Sequence, residues 1–166
     1  GLFSEANQSR RPQLYVGAND GMLHAFDEDL NERWAFVPPS VLPKLRDMLG
    51  VKNNQNGFGK SNSVFNVDGP IAVKDIYIHA TNEWKTVLVG GLGYGGKSYY
   101  VLDITDPDDP RHMFTISNND ANKTVNYWSA DGTKTSFPYL SAPEHIDYQK
   151  LGDTWSRPSI LLLPYK

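Results

Sequence analysis

The chain is 166 residues long, which is enough for one ordinary core and too short for two independent domains. Its net charge of −3, with no run of Lys or Arg, excludes nucleic-acid binding by counterion release, and the lack of any apolar run of about 18 residues excludes a membrane-inserted helix. The absence of Cys removes disulfides, thiolate nucleophiles and sulfur-ligated metals, and 14 Gly with 11 Pro favour many short strands over long helices.

Residues 1–12 are polar and end in Arg10-Arg11-Pro12, which reads as a lead-in without structure of its own and with both arginines solvated. Residues 14–27 then spell a β-hairpin. Tyr15 and Val16 are strand formers, Asn19-Asp20-Gly21 supplies residues that tolerate positive φ, and Leu23 and Ala25 resume the alternation. An acidic turn leads to Arg33-Trp34-Ala35-Phe36-Val37, a third strand antiparallel to the second, which Pro38-Pro39 stops. Residues 38–66 read as an insertion: Val41, Leu42, Leu45, Met48 and Leu49 recur at helical spacing, Pro43 suits a first turn, Gly50 is a stop, and a polar turn-rich tract follows.

Val67-Asp68-Gly69-Pro70 opens a unit of four expected strands at 71–78, 85–90, 97–103 and 111–116, an antiparallel meander over residues 67–116. Residues 117–154, rich in Asn, Thr, Tyr and Trp and without a period, read as a second insertion. At 155–166, Trp155-Ser156-Arg157-Pro158-Ser159-Ile160 resembles the opening of the unit at 67, with Pro70 and Pro158 lying 88 positions apart. The hairpin also recurs: Val16-Gly17 laid on Val89-Gly90 gives an offset of 73 and Asp27 laid on Asp103 gives 76, so the second copy carries a turn three residues longer.

Repeated four-stranded antiparallel units are what a β-propeller requires, because each twisted blade buries its faces only against its neighbours. The expected fold is all-β: the later strands of one blade (13–37), a complete blade (67–116) and the first strand of a third (155–166), an incomplete ring with one short helix. A barrel or sandwich is the alternative.

Candidate chemistry is sparse. Asp103, Asp106, Asp108 and Asp109 form the densest acidic cluster and offer the oxygen ligands calcium prefers, yet Pro107 and Pro110 and the lack of Gly favour a solvated turn. The tract 90–96, Gly-Gly-Leu-Gly-Tyr-Gly-Gly, lacks the following helix that a phosphate-binding loop needs, so its glycines serve a hairpin or a close backbone approach. His24, His79, His112 and His145 show no ligand spacing and no triad, leaving no catalytic residue or cofactor site to name. Trp34, Trp84 and Trp155 suit packing at strands and corners. Tyr127 and Trp128, inside the second insertion, are the candidates for aromatics presented to a partner.

The ordered series Tyr15-Val-Gly-Ala-Asn-Asp-Gly-Met-Leu-His-Ala-Phe-Asp27, Trp34-Ala-Phe-Val-Pro38, Val67-Asp-Gly-Pro70, Thr86-Val-Leu-Val-Gly-Gly-Leu-Gly93 and Leu102-Asp-Ile-Thr-Asp-Pro107 resembles the C-terminal propeller of the PilC/PilY family of type IV pilus biogenesis factors and tip adhesins. The resemblance implies a non-enzymatic protein, secreted to the cell surface, pilus tip or outer membrane of a Gram-negative bacterium. Such a protein assists pilus assembly, counters retraction, and in some members mediates adhesion or twitching motility. Implied partners are minor pilins or the pilus fibre, and a host-cell or abiotic surface. Family members also bind calcium through an Asp-rich, EF-hand-like loop, usually beyond the strand written here at 157–160; no Asp-x-Asp-x-Asp-Gly loop stands in this sequence. The hairpin alone also resembles quinoprotein dehydrogenases and outer-membrane assembly lipoproteins, so a quinone-holding dehydrogenase and a periplasmic assembly scaffold are the competing functions.

Overall fold

A computed structural model describes residues 3, 5, 7–48, 65–141 and 148–161. Two antiparallel meanders face each other. The first contains β1 (Leu14–Gly17), β2 (Leu23–Phe26) and β3 (Glu32–Phe36) in that order. The second contains β4 (Ile71–Ile78), β5 (Glu83–Gly91), β6 (Ser98–Asp103), β7 (Arg111–Asn119), β8 (Thr124–Trp128) and β9 (Lys134–Pro138), again in sequence order. One short helix, α1 (Leu42–Met48), follows the first meander with Pro43 in its first turn.

The Asn-Asp-Gly turn closes as expected. Gly21 holds φ at +99°, the Ala18 N–H donates to the Met22 carbonyl, and the Asp20 carboxylate accepts the Met22 N–H at 2.9 Å. Leu23 and Ala25 on β2 are fully buried, with Trp34 and Phe36 of β3 on the same face. That face meets Leu88 of β5 and Tyr100 and Leu102 of β6 in one core, which Val41, Val67, Leu92 and Ile104 complete. At α1, Val41 is buried and Leu45 packs against the core while Leu42 is exposed, so the helix buries one narrow stripe. The proposed Gly50 stop lies outside the described residues.

Four expectations change. The four strands foreseen between 71 and 116 are present, but residues 117–138 continue the same sheet as the end of β7, then β8 and β9. Alternation was hidden there because buried positions carry Asn118 and Asn126, whose side chains bond to Tyr139, to the Gln149 and Leu151 carbonyls and to Ser136. Residues 155–161 form no strand; Thr154 makes an isolated bridge to Gly93, and Lys74 Nζ reaches the Ile160 carbonyl at 2.7 Å. The lead-in is docked rather than free, since Arg10 donates to Thr86 Oγ1 at 2.8 Å and Phe3 stacks on Trp84.

The repeat register also moves by one residue. A Cβ on Gly17 would meet the Val67 carbonyl at 2.6 Å, and one on Gly91 the Thr154 carbonyl at 2.8 Å. Gly17 pairs with Leu23 and Gly91 with Tyr99. Gly17 therefore corresponds to Gly91 rather than Gly90, and the second turn is longer by two residues, not three. Sequence text favoured Val-Gly on Val-Gly; the backbone contacts favour the glycines that meet an incoming carbonyl.

Candidate interaction surface

The acidic tract 103–109 forms the corner between β6 and β7 and is built from local caps. Asp103 accepts the Thr105 N–H at 3.0 Å and its hydroxyl at 2.6 Å, and Asp106 accepts the Asp108 N–H. Lys85 then pairs with Asp103 at 2.6 Å, Arg11 and Arg33 with Asp108 at 2.8 and 3.1 Å, and Arg111 with Asp109 at 2.7 Å. Desolvation raises the Asp103 pKa, but the Lys85 and Thr105 bonds outweigh it and hold the carboxyl below its ordinary value. The four carboxylates thus turn to different partners instead of converging on one point, and among the described residues no group of three or more acidic or imidazole side chains is arranged to hold a metal ion. This corner does not fit calcium.

The corner instead joins the two sheets. Trp34 Nε1 on β3 donates to the Pro107 carbonyl at 2.8 Å, Gln13 Nε2 donates to the same carbonyl, and Arg10 donates to the Thr105 carbonyl. With Arg11 and Arg33 on Asp108, the whole first meander is anchored to one Asp-Pro turn of the second. The sequence signal was the acidic tract itself; the basic and indole partners sit too far away in the chain to be read with it.

The glycine tract between β5 and β6 is a place of close backbone approach, as expected. A Cβ on Gly69 would overlap the Gly91 backbone, and one on Gly95 the Asn66 carbonyl. Thr154 Oγ1 accepts the Leu92 N–H at 2.7 Å and lies 3.0 Å from the Ser98 carbonyl, so three distant segments meet at this loop. Tyr94 rises from it 61% exposed, touching Phe65 on one side and Trp155, 46% exposed, on the other. This aromatic group was missed; a tyrosine among flanking glycines, with no strand to bury it, was its available signal.

Of the two aromatics chosen from sequence, Tyr127 is exposed and stacks on Phe114 across β7 and β8. Trp128 is not presented: it is 9% exposed, with Lys134 Nζ 5.3 Å above its ring. Successive strand residues point to opposite faces, so only one of the pair could face outward. Trp84 and Trp155, expected to pack, are about half exposed.

His24 stands on the outer face of β2, with Nδ1 2.8 Å from Glu32 and Nε2 2.8 Å from Asp20. The hydrogen bond to Glu32 is the main cause of a pKa above the ordinary imidazole value. His112 is its opposite: burial against the Phe36 ring lowers its pKa, and its Nε2 lies 2.8 Å from Thr115 Oγ1. His79 meets the Tyr77 ring edge to face, and His145 lies outside the described residues.

The sequence matches the PilY1 beta-propeller domain over residues 1–136. The chain belongs to the PilY1 beta-propeller family. The type IV pilus biogenesis factor PilY1 of Pseudomonas aeruginosa is 43% identical over 114 residues, which is 69% of this chain and 9% of that protein. A PilY1 homolog of Xylella fastidiosa is 42% identical over 119 residues, 71% of this chain and 9% of the relative. The crystal structure of the P. aeruginosa PilY1 C-terminal domain superposes with a TM-score of 0.52 at 27% identity, covering 86% of this chain and 33% of that one. The chain therefore spans about a tenth of the curated PilY1 relatives and a third of the solved C-terminal domain. Its fold is a nearly all-β propeller fragment with one short helix among the described residues.

Proposed function

We propose that this chain serves as a propeller segment of a type IV pilus-associated protein, non-enzymatic and displayed at the cell surface or pilus tip, where it supports pilus assembly, counters retraction and contributes to surface attachment or twitching. The PilY1 domain match over residues 1–136, laid on two facing meanders, is the observation that carries this reading. Partners, namely minor pilins or the pilus fibre, meet the segments that depart from the four-stranded plan, since a rigid scaffold presents binding groups on its variable connections. Tyr127, exposed on the β8–β9 ribbon, is one ring offered for that contact.

The test replaces residues 120–139 by a short turn in the full-length protein and, separately, substitutes Tyr127→Ala. Surface pili, twitching zone and attached cells are measured at matched protein levels. Loss of piliation or attachment in the replacement, with a partial loss for Y127A, is expected; unchanged piliation and attachment in both would sink the assignment. A dye-linked dehydrogenase assay with an absorbance scan for bound quinone addresses the non-enzymatic part, which any turnover would overturn.

A further inference from the structure

The turn that carries β7 into β8 consists of Asp120, Ala121, Asn122 and Lys123, and all four residues are exposed. Its frame is fixed at both ends. Asn119 Oδ1 accepts the Asn122 N–H at 3.1 Å, Lys123 bends the chain at a φ of +55°, and the Lys123 carbonyl accepts the Tyr139 N–H at 3.1 Å. The Asp120 carboxylate is held by Lys97 and by the Tyr139 hydroxyl, yet its side chain stays 49% exposed. Between these anchors the Asn122 carboxamide takes no hydrogen bond among the described residues.

Asn122-Lys123-Thr124 is an Asn-x-Thr tripeptide, the motif whose asparagine accepts a glycan when it stands on a surface loop of an exported protein. A carboxamide nitrogen is a weak nucleophile, so a transferase has to grip it in a bent backbone, and the hydroxyl two residues on is the second handle. Thr124 Oγ1 is engaged only by a 3.4 Å contact to Asn126 Oδ1, longer than an ordinary O–H···O bond, and is therefore available. The chain offers an internal control in a second tripeptide of this type, Asn7-Gln8-Ser9. There the asparagine is half-buried and its Nδ2 already donates to the Phe3 carbonyl at 2.8 Å.

We infer that Asn122 is an acceptor for N-linked glycosylation, with an oligosaccharide carried on a polyprenyl diphosphate as the donor. Nδ2 forms a bond to the anomeric carbon of the first sugar as the bond from that carbon to the diphosphate oxygen breaks. One Nδ2 proton passes to a base of the transferase, the lipid diphosphate leaves with the electron pair of the broken bond, and nothing is oxidised or reduced. Asp120, two residues ahead, offers its exposed carboxylate to a basic group of the transferase. Asn7 stays unmodified. The glycan adds a hydrophilic mass at the end of the β7–β8 ribbon, where it displaces no packed side chain because the whole turn is exposed. The inference rests on the surface display proposed above, since the transfer is made to exported chains.

Mass spectrometry of the full-length protein recovered from the surface of its own bacterium, with the modified residue located by fragment ions, tests the site. The wild type should carry one glycan on Asn122 and none on Asn7. Asn122→Gln, at an exposed position, should lose that mass, as should Thr124→Val, whereas Thr124→Ser and Asn7→Gln should keep it. A bare Asn122 in the displayed wild type overturns the inference, and so does a glycan that sits on Asn7 instead or persists on this turn in N122Q. Recovery of the protein from the cytosol alone would overturn the surface reading instead. The purified protein, incubated with membranes of the same bacterium and a polyprenyl-diphosphate-linked oligosaccharide, then decides the acceptor. A gain of one glycan by the wild type and none by N122Q sustains it, and no gain by the wild type overturns it.

Discussion

The two meanders share a plan and differ in how they are finished. In β1–β3 one face is apolar and closed against the core, while the other carries His24 between two carboxylates beside exposed Leu14 and Val16. In β4–β9 the matching three strands sit inside a six-stranded sheet whose outer part is held by buried polar side chains, Thr115, Asn118 and Asn126. The common unit is thus the three-stranded meander with its glycine at the end of the first strand, and the individuality lies in what is attached at either side. Beyond their shared core, the units join through backbone passing close to glycine and through one acidic corner, and both of these junctions are open to single substitutions.

The largest effect is expected at the glycine junction. Gly95→Ala places a methyl group on the Asn66 carbonyl, a backbone atom that cannot swing aside, and should cost about 3 kcal/mol, as overpacking against fixed atoms does. Gly132→Ala, where a Cβ meets nothing within 4 Å, isolates the cost of a positive φ and should be milder. Chemical denaturation of both variants measures the difference; equal losses would mean that the Asn66 backbone gives way to the new methyl group.

These elements were unequally legible in the sequence. Short-range chemistry was readable: Asn-Asp-Gly had to turn, Ile71–Ile78 and Ser98–Asp103 had the composition of strands, and Pro43 could stand only early in a helix. β8 and β9 were not, because Asn126 and Ser136 satisfy each other inside a sheet and so erase the alternation on which strand recognition depends. The 103–109 corner was seen as acidic but not as a junction, since Arg33 and Trp34 reach it across more than seventy residues. Trp128 was misjudged against Tyr127 because two adjacent strand residues cannot share a face, and nothing local says which is inside.

Tyr100 bears on the face where the meanders meet. Its ring is fully buried on Gly90 and Phe36, and its hydroxyl has no hydrogen-bond partner among the described residues; burial drives its pKa far upward. Tyr100→Phe removes a polar atom that is desolvated without compensation and keeps the ring, so a gain of about 1 kcal/mol is expected. A loss of similar size would show that the hydroxyl is bonded in solution.

The acidic corner should give a smaller, divisible effect. Trp34→Phe deletes the bond to the Pro107 carbonyl while leaving an aromatic ring against Tyr15, and should cost about 1 kcal/mol. Asp108→Asn removes the charge that Arg11 and Arg33 face; with the Arg side chains 63% and 36% exposed, its cost should stay below about 1 kcal/mol and fade at high salt. If D108N proves the more damaging in thermal melts, the corner is held by charge rather than by the indole bond.

The two histidines turn the comparison into opposite pH responses. His24, its pKa raised by Glu32 and Asp20, binds its proton more tightly folded than unfolded. Its contribution is therefore complete below the unfolded value of about 6.5 and is lost as pH rises through the folded value. His112, its pKa lowered by burial, binds its proton less tightly folded, so its contribution is complete above about 6.5 and is lost as pH falls through the folded value. Thermal melts from about pH 5 to pH 8 should show the advantage of wild type over His24→Gln shrinking toward the alkaline end, and that over His112→Gln shrinking toward the acid end. The His24 effect should be the smallest of this series, under about 1 kcal/mol, because both carboxylates are about half exposed. Parallel melting curves for wild type and H24Q would show that the imidazole between Asp20 and Glu32 gains nothing from its proton, leaving the outer face of β1–β3 as plain surface.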